Sequence, residues 1–144
     1  MELTSQSFSH NTDMPATYTC DGKDINPHLA WSGEPEGTKS FALRVFDPDA
    51  PGNGWIHWQI INIPAGTHEI KEDSVPQGAE EILNDFGKTS YGGPCPPSGK
   101  HRYVFTIYAL DTERLDGVTK DTFLNKVQEH TLAKAELIGL YQRR

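Results

Sequence analysis

The 144-residue chain reads as mostly β: an antiparallel two-sheet β-sandwich with one short helix near its C-terminal end, in a single domain over residues 1–144. Three observations predict this. Thirteen glycines and ten prolines punctuate the sequence, as turns between many short strands require. Three segments between those turns are rich in aromatic and β-branched residues. Only one stretch shows helical spacing.

Taken in order, "LTSQSF" is a weak first strand, followed by the irregular "NTDMPATYTCDGKDINP" with its many turn residues. "HLAWS" (His28–Ser32) is a second weak strand. "FALRVFD" (Phe41–Asp47), "IHWQIINI" (Ile56–Ile63) and "RYVFTIYAL" (Arg102–Leu110) are the strong ones, apolar on nearly both faces like strands central to a sandwich. The helix is expected from about Lys120 to Lys134. Phe123, Leu124, Val127 and Thr131 recur there at helical spacing, with Thr119 or Asp121 as its cap. "AELIGLYQ" (Ala135–Gln142) extends that helix or forms a last strand, and Gly139 among alternating apolar residues favours the strand.

Charge excludes some functions. Thirteen basic against twenty acidic residues give a formal net charge of −7, unlike a nucleic-acid binder or a polybasic membrane-surface protein. Six acids crowd between Thr67 and Asp85 beside one base, Lys71, and read as a solvated loop rather than a docking surface. No apolar stretch approaches the roughly 20 residues of a membrane span. "MELTSQSFSH" lacks a basic start and an apolar core, so the cytoplasm is the expected compartment. Two cysteines, Cys20 and Cys95, are too few for a disulfide framework; whether they bond to each other stays open.

Alternation along a strand gathers the polar groups. Asp47 continues the face of Phe41, Leu43 and Val45. His101 and Tyr103 crown the face of Phe105 and Ile107. His57 shares a side with Gln59, Ile61 and Ile63. A carboxylate against either imidazole fixes its tautomer and favours its protonated form. An imidazolium, a phenol and backbone N–H groups near Gly92 and Gly93 would attract a small anion such as phosphate. In the rigid "DPDAPG" turn, Asp49 reads as a turn cap at the pocket rim. Trp58 reads as core, and Trp55 as the pocket mouth.

Other chemistries fit less well. "GGPCPPSGKH" fails as a P-loop, because five residues separate Gly93 from Gly99 and His101 follows Lys100 where Ser or Thr is needed. Cys95 with His101 as a nucleophile pair lacks a legible oxyanion hole. The six histidines show no metal-binding spacing, so no metal and no cofactor is expected. No catalytic constellation asks for an enzyme.

"DPDAPG", "WIHWQIINIP" and "YGGPCPPSGKHRYVFTIYALD" resemble, in order and spacing, the phosphatidylethanolamine-binding protein family, nearest its bacterial and archaeal Raf-kinase-inhibitor-like (YbhB/YbcL) branch. "YTCDGKDINPHLAWSGEPEGTKSFAL" and "EHTLAKAELIGLY" extend the resemblance over nearly the whole chain. It implies a two-sheet sandwich with a pocket for phosphate, phosphorylethanolamine and related anions. Carried over by motif, the ligand would meet Asp47, His57, the backbone at Gly93, Pro94 and Cys95, then His101 and Tyr103. Pro96 and Pro97 would form the rim. Lys100 departs from the branch's commoner neighbour, and no counterpart to the covering C-terminal helix of mammalian members is evident in these residues, so a more open site is expected. The resemblance also suggests a kinase or a serine protease as partner. A homodimer stays open. The leading expectation is a binding or regulatory protein; the alternative is a serine protease inhibitor acting through a surface loop.

Overall fold

The computed structural model describes residues 1–143. Two sheets face each other. The smaller has the order β1 (Glu2–Thr4), β3 (Leu29–Ser32), β6 (Glu69–Ile70), all antiparallel. The larger has the order β2 (Thr12–Asp13), β9 (Thr131–Tyr141), β8 (His101–Leu110), β4 (Ser40–Asp47), β5 (Trp55–Pro64), β7 (Glu80–Ile82). Its pairings are antiparallel except β2 with β9, which runs parallel and departs from the all-antiparallel expectation.

The apolar character of β4, β5 and β8 on both faces has a simple cause: the larger sheet is covered on both sides. Its inner face, with Phe41, Leu43, Val45, Trp58, Ile60, Phe105 and Ile107, packs on Leu3, Leu29, Trp31 and Ile70 of the smaller sheet. Its outer face buries Ala42, Ile61, Tyr108 and Leu110 under Leu115, Val118, Phe123 and Val127. Phe123 and Val127 belong to α1 (Phe123–Gln128), so the helix is a lid on the second core.

That helix is shorter than the expected Lys120–Lys134. Residues from Thr131 pair with β8 over its whole length, beginning with Thr131 opposite Leu110. Eleven residues of strand pairing outcompete a helix too short to be stable alone. Its start is set by Thr119 and Thr122, each accepting the other's backbone N–H, rather than by a side-chain cap at Asp121. The preference for a strand over Ala135–Gln142 agrees with β9.

Two irregularities in the β4/β5 pairing matter for the site. Leu43 opposes Ile60 while Phe41 opposes Ile63, so an extra residue enters near Asn62, which takes a left-handed φ of 60°. Val45 opposes Trp58 while Phe46 opposes Ile56, which leaves His57 as a bulge residue without an opposite number. Bulges re-aim side chains. Simple alternation sends His57 to the outer face with Gln59 and Ile61; the bulge corrects that reading, and the His57 ring packs edge-on against Tyr103 of the inner core, 5.2 Å between centroids.

Candidate functional site

A cavity of about 320 Å³ opens where β4 ends, β5 begins and β8 begins. Its deepest lining is polar: Asp47, His57, His101 and Tyr103, all buried. Its walls are Ala50 and Pro51 from the turn after β4, Trp55, Phe86, and Cys95, Pro96 and Pro97 from the segment before β8. Trp55 and Phe86 are large exposed hydrophobics and stand edge to face at 5.5 Å, forming the mouth.

The polar residues are held in fixed roles. Asp47 uses both oxygens. Oδ1 accepts the Asp49 N–H at 2.8 Å and closes the turn, and Oδ2 lies 2.7 Å from His101 Nδ1. A carboxylate only accepts, so the Nδ1 proton of His101 is committed to Asp47 and Nε2 is left for another partner. His57 Nδ1 lies 2.7 Å from the Gly92 carbonyl, which also only accepts, so its Nε2 is likewise left over. Burial lowers the pKa of His57, against the pull of the Gly92 carbonyl and Asp47, and favours the neutral ring. Burial first, then Asp47 and Asp49, raise the pKa of Tyr103, so its hydroxyl stays a donor. That hydroxyl is buried, yet it has no hydrogen-bond partner among the described residues.

Four of the predicted residues therefore meet: Asp47, His57, His101 and Tyr103. Cys95, Pro96 and Pro97 line the walls, and Trp55 the mouth. Three expectations are corrected. The backbone donors near Gly92 and Gly93 are not available, because Gly92 N–H donates to the His57 carbonyl at 3.2 Å and Gly93 N–H to Asp24 Oδ1 at 2.7 Å. Gly93 and Pro94 lie behind the cavity wall, and the Pro94 carbonyl accepts the Cys20 N–H. Asp49 is not among the residues lining the cavity; it forms a bidentate pair with Arg102, the first cause of its pKa falling to about 2.

Cys20 and Cys95 are joined by a disulfide, with Cα atoms 5.4 Å apart. Bonded in this way, Cys95 has no thiolate to act as a nucleophile. Among the described residues, no group of three or more His, Cys, Asp or Glu is placed to hold a metal ion.

Reading the sequence missed Phe86, Asp24 and Asn84. Phe86 comes from the acidic segment after β7, and a Cβ on Gly92 would collide with its ring. Asn84 donates to the carbonyls of His57 and Ser90 and so fastens this segment to β5. Only the glycine pair hinted at such close approach. The acidic run is also less free than expected. Glu69 pairs with His28, Glu81 accepts from Trp58 Nε1, Asp85 pairs with Lys120, and Glu72 accepts from the Tyr18 hydroxyl.

The model of the phosphatidylethanolamine-binding protein family matches residues 4–142. The chain belongs to that family. A UPF0098 protein of Aquifex aeolicus is 47% identical, over 99% of this chain and 89% of its own length. The UPF0098 protein YbhB of Escherichia coli is 43% identical, over 84% of each chain. Among solved structures, E. coli YbcL, described as a member of the mammalian PEBP family, superposes with a TM-score of 0.94 at 35% identity, over 99% of this chain and 98% of that one. The sandwich is thus the PEBP fold, and the cavity is a feature of a PEBP family member. No helix among the described residues is long and apolar enough to cross a membrane.

Proposed function

We propose that this PEBP family member is a non-enzymatic binding protein whose cavity takes a small oxyanion, phosphate or a phosphorylated headgroup such as phosphorylethanolamine. On this reading, occupancy tunes a protein partner in the cytoplasm, a kinase being the partner the family resemblance suggests. The observation that carries it is the buried Tyr103 hydroxyl, which has no hydrogen-bond partner among the described residues and lies beside two imidazoles whose Nδ1 atoms are already engaged. An unsatisfied buried hydroxyl costs about 1–3 kcal/mol, and an oxyanion removes that cost by accepting from it.

The charges fit such a ligand once protons are counted. The Asp47 carboxylate would repel an anion, but both its oxygens are engaged, one by the Asp49 N–H and one by His101 Nδ1, so neither is aimed at the ligand. Neutral His57 can accept from a protonated oxygen of the ligand, or take up a proton and donate. An anion at Nε2 favours the imidazolium, so binding draws in a proton and tightens as pH falls toward the depressed His57 value.

The test is an NMR titration with inorganic phosphate. Wild-type protein should shift at residues 47, 57, 101 and 103. His57→Ala and Asp47→Ala should weaken binding roughly 10–100-fold without unfolding, the equivalent of about 1.5–3 kcal/mol for a charge-assisted bond. Titrations unchanged in both variants would remove the assignment. A serine protease screen with the same variants addresses the inhibitor alternative, which gains if inhibition survives loss of the pocket.

A further inference from the structure

We infer that the Cys20–Cys95 pair is a thiol–disulfide exchange site, with a dithiol reductant as its reaction partner, and that its redox state sets the position of one pocket wall. The link between wall position and ligand rests on the proposed anion binding; the exchange site itself does not.

The wall segment Pro94–Pro97 contains three prolines, so it has a single backbone N–H, that of Cys95. That N–H makes no hydrogen bond among the described residues. From Cys95 to the start of β8 at His101, the disulfide is the one covalent tie to the body of the protein; the others are the exposed Lys100–Asp13 ion pair and the packing of buried Pro96. Cys95, Pro96 and Pro97 line the cavity. The bond is therefore built into the pocket rather than into the distant core.

Its other end is anchored independently of the sulfurs. The loop carrying Cys20 is held by Cys20 N–H to the Pro94 carbonyl (3.1 Å), Gly93 N–H to Asp24 Oδ1 (2.7 Å) and the Tyr91 hydroxyl to the Tyr18 carbonyl (2.8 Å). These bonds end at Pro94. Breaking the disulfide leaves this loop and the Gly92–His57 contact in place and frees only the residues between Pro94 and β8. The structure thus divides a hydrogen-bonded half of the pocket from a half held by one covalent bond, one exposed ion pair and the packing of Pro96.

The site is reachable, since Cys95 is exposed and Cys20 half-buried. In the exchange, a thiolate of the dithiol attacks the Cys95 sulfur, the Cys20–Cys95 bond breaks, and Cys20 leaves as a thiolate that takes a proton. The second thiol of the reductant attacks the mixed disulfide and releases Cys95. The reductant ends as an intramolecular disulfide. Two electrons and two protons pass to the protein, and the reverse reaction restores the bond.

The test compares oxidised protein with protein treated with dithiothreitol at 25 °C. Two free thiols should appear. Amide shifts should be confined to the loop around Cys20, the 94–101 segment and the cavity, and reoxidation should reverse them. Inorganic phosphate should bind the reduced form roughly threefold to tenfold more weakly, the loss of about one neutral contact's worth of positioning. Cys95→Ser should reproduce the reduced spectrum without reductant. The inference is overturned if the folded protein releases no thiols, if reduction unfolds it globally, or if cavity signals do not move. Failure of the oxidised protein to bind phosphate would sink the anion reading alone, and the wall shifts would still decide the exchange site.

Discussion

Tyr103 separates binding from stability more sharply than any other pocket residue. Its hydroxyl is buried without a partner among the described residues, so Tyr103→Phe removes an unsatisfied group. The variant should be as stable as wild type or about 1 kcal/mol more stable in denaturant unfolding, while its affinity for phosphate falls roughly tenfold. His57 gives a second prediction. Burial lowers its pKa in the fold, whereas the unfolded chain takes its proton near the ordinary 6.5. The unfolded state therefore binds more protons below that value. This contribution to stability is complete above about pH 6.5 and is lost as pH falls toward the depressed folded value. A chemical denaturation series from pH 8 to 5, without phosphate, should show a shallower acid decline in His57→Gln than in wild type. At this scale the sequence revealed Asp47, His101 and Tyr103, because each continues the regular alternation of its strand. Phe86 and Asp24 stayed hidden: their roles come from loop contacts dozens of residues distant, Asp24 with Gly93 across 69 positions.

Among the elements, the three long strands were legible from their aromatic and β-branched content, and the last from its alternation around Gly139. Bulges were not, since they arise from how two strands pair and leave no mark in either one. The His57 bulge shows the cost of that blindness, because parity alone sends a pocket residue to the wrong face. Helix limits were misjudged for a related reason: Thr131 fits a helical period, but pairing with Leu110 decides its fate. The short helix still matters energetically. Phe123 is fully buried in the outer core, so Phe123→Ala should cost about 3–5 kcal/mol in urea unfolding. Phosphate affinity at 25 °C should stay unchanged, because that core lies on the sheet face opposite the pocket.

For the whole molecule, the disulfide spans 75 residues. In the chain-entropy picture a loop of that size stabilises the fold by about 4 kcal/mol, so Cys20→Ser with Cys95→Ser should lower Tm by roughly 10–20 °C and yet leave a folded protein at 25 °C. Differential scanning calorimetry checks this. The parallel contact between β2 and β9 has a separate consequence for biogenesis. Thr12 and Asp13 find their strand partners only at Gly139 and Leu140. During synthesis β1 can pair with β3 early, but Thr12 and Asp13 have no strand partner until β9 leaves the ribosome. Such distant pairing places maturation in the slow, post-translational regime, where chaperones have time to engage the nascent chain.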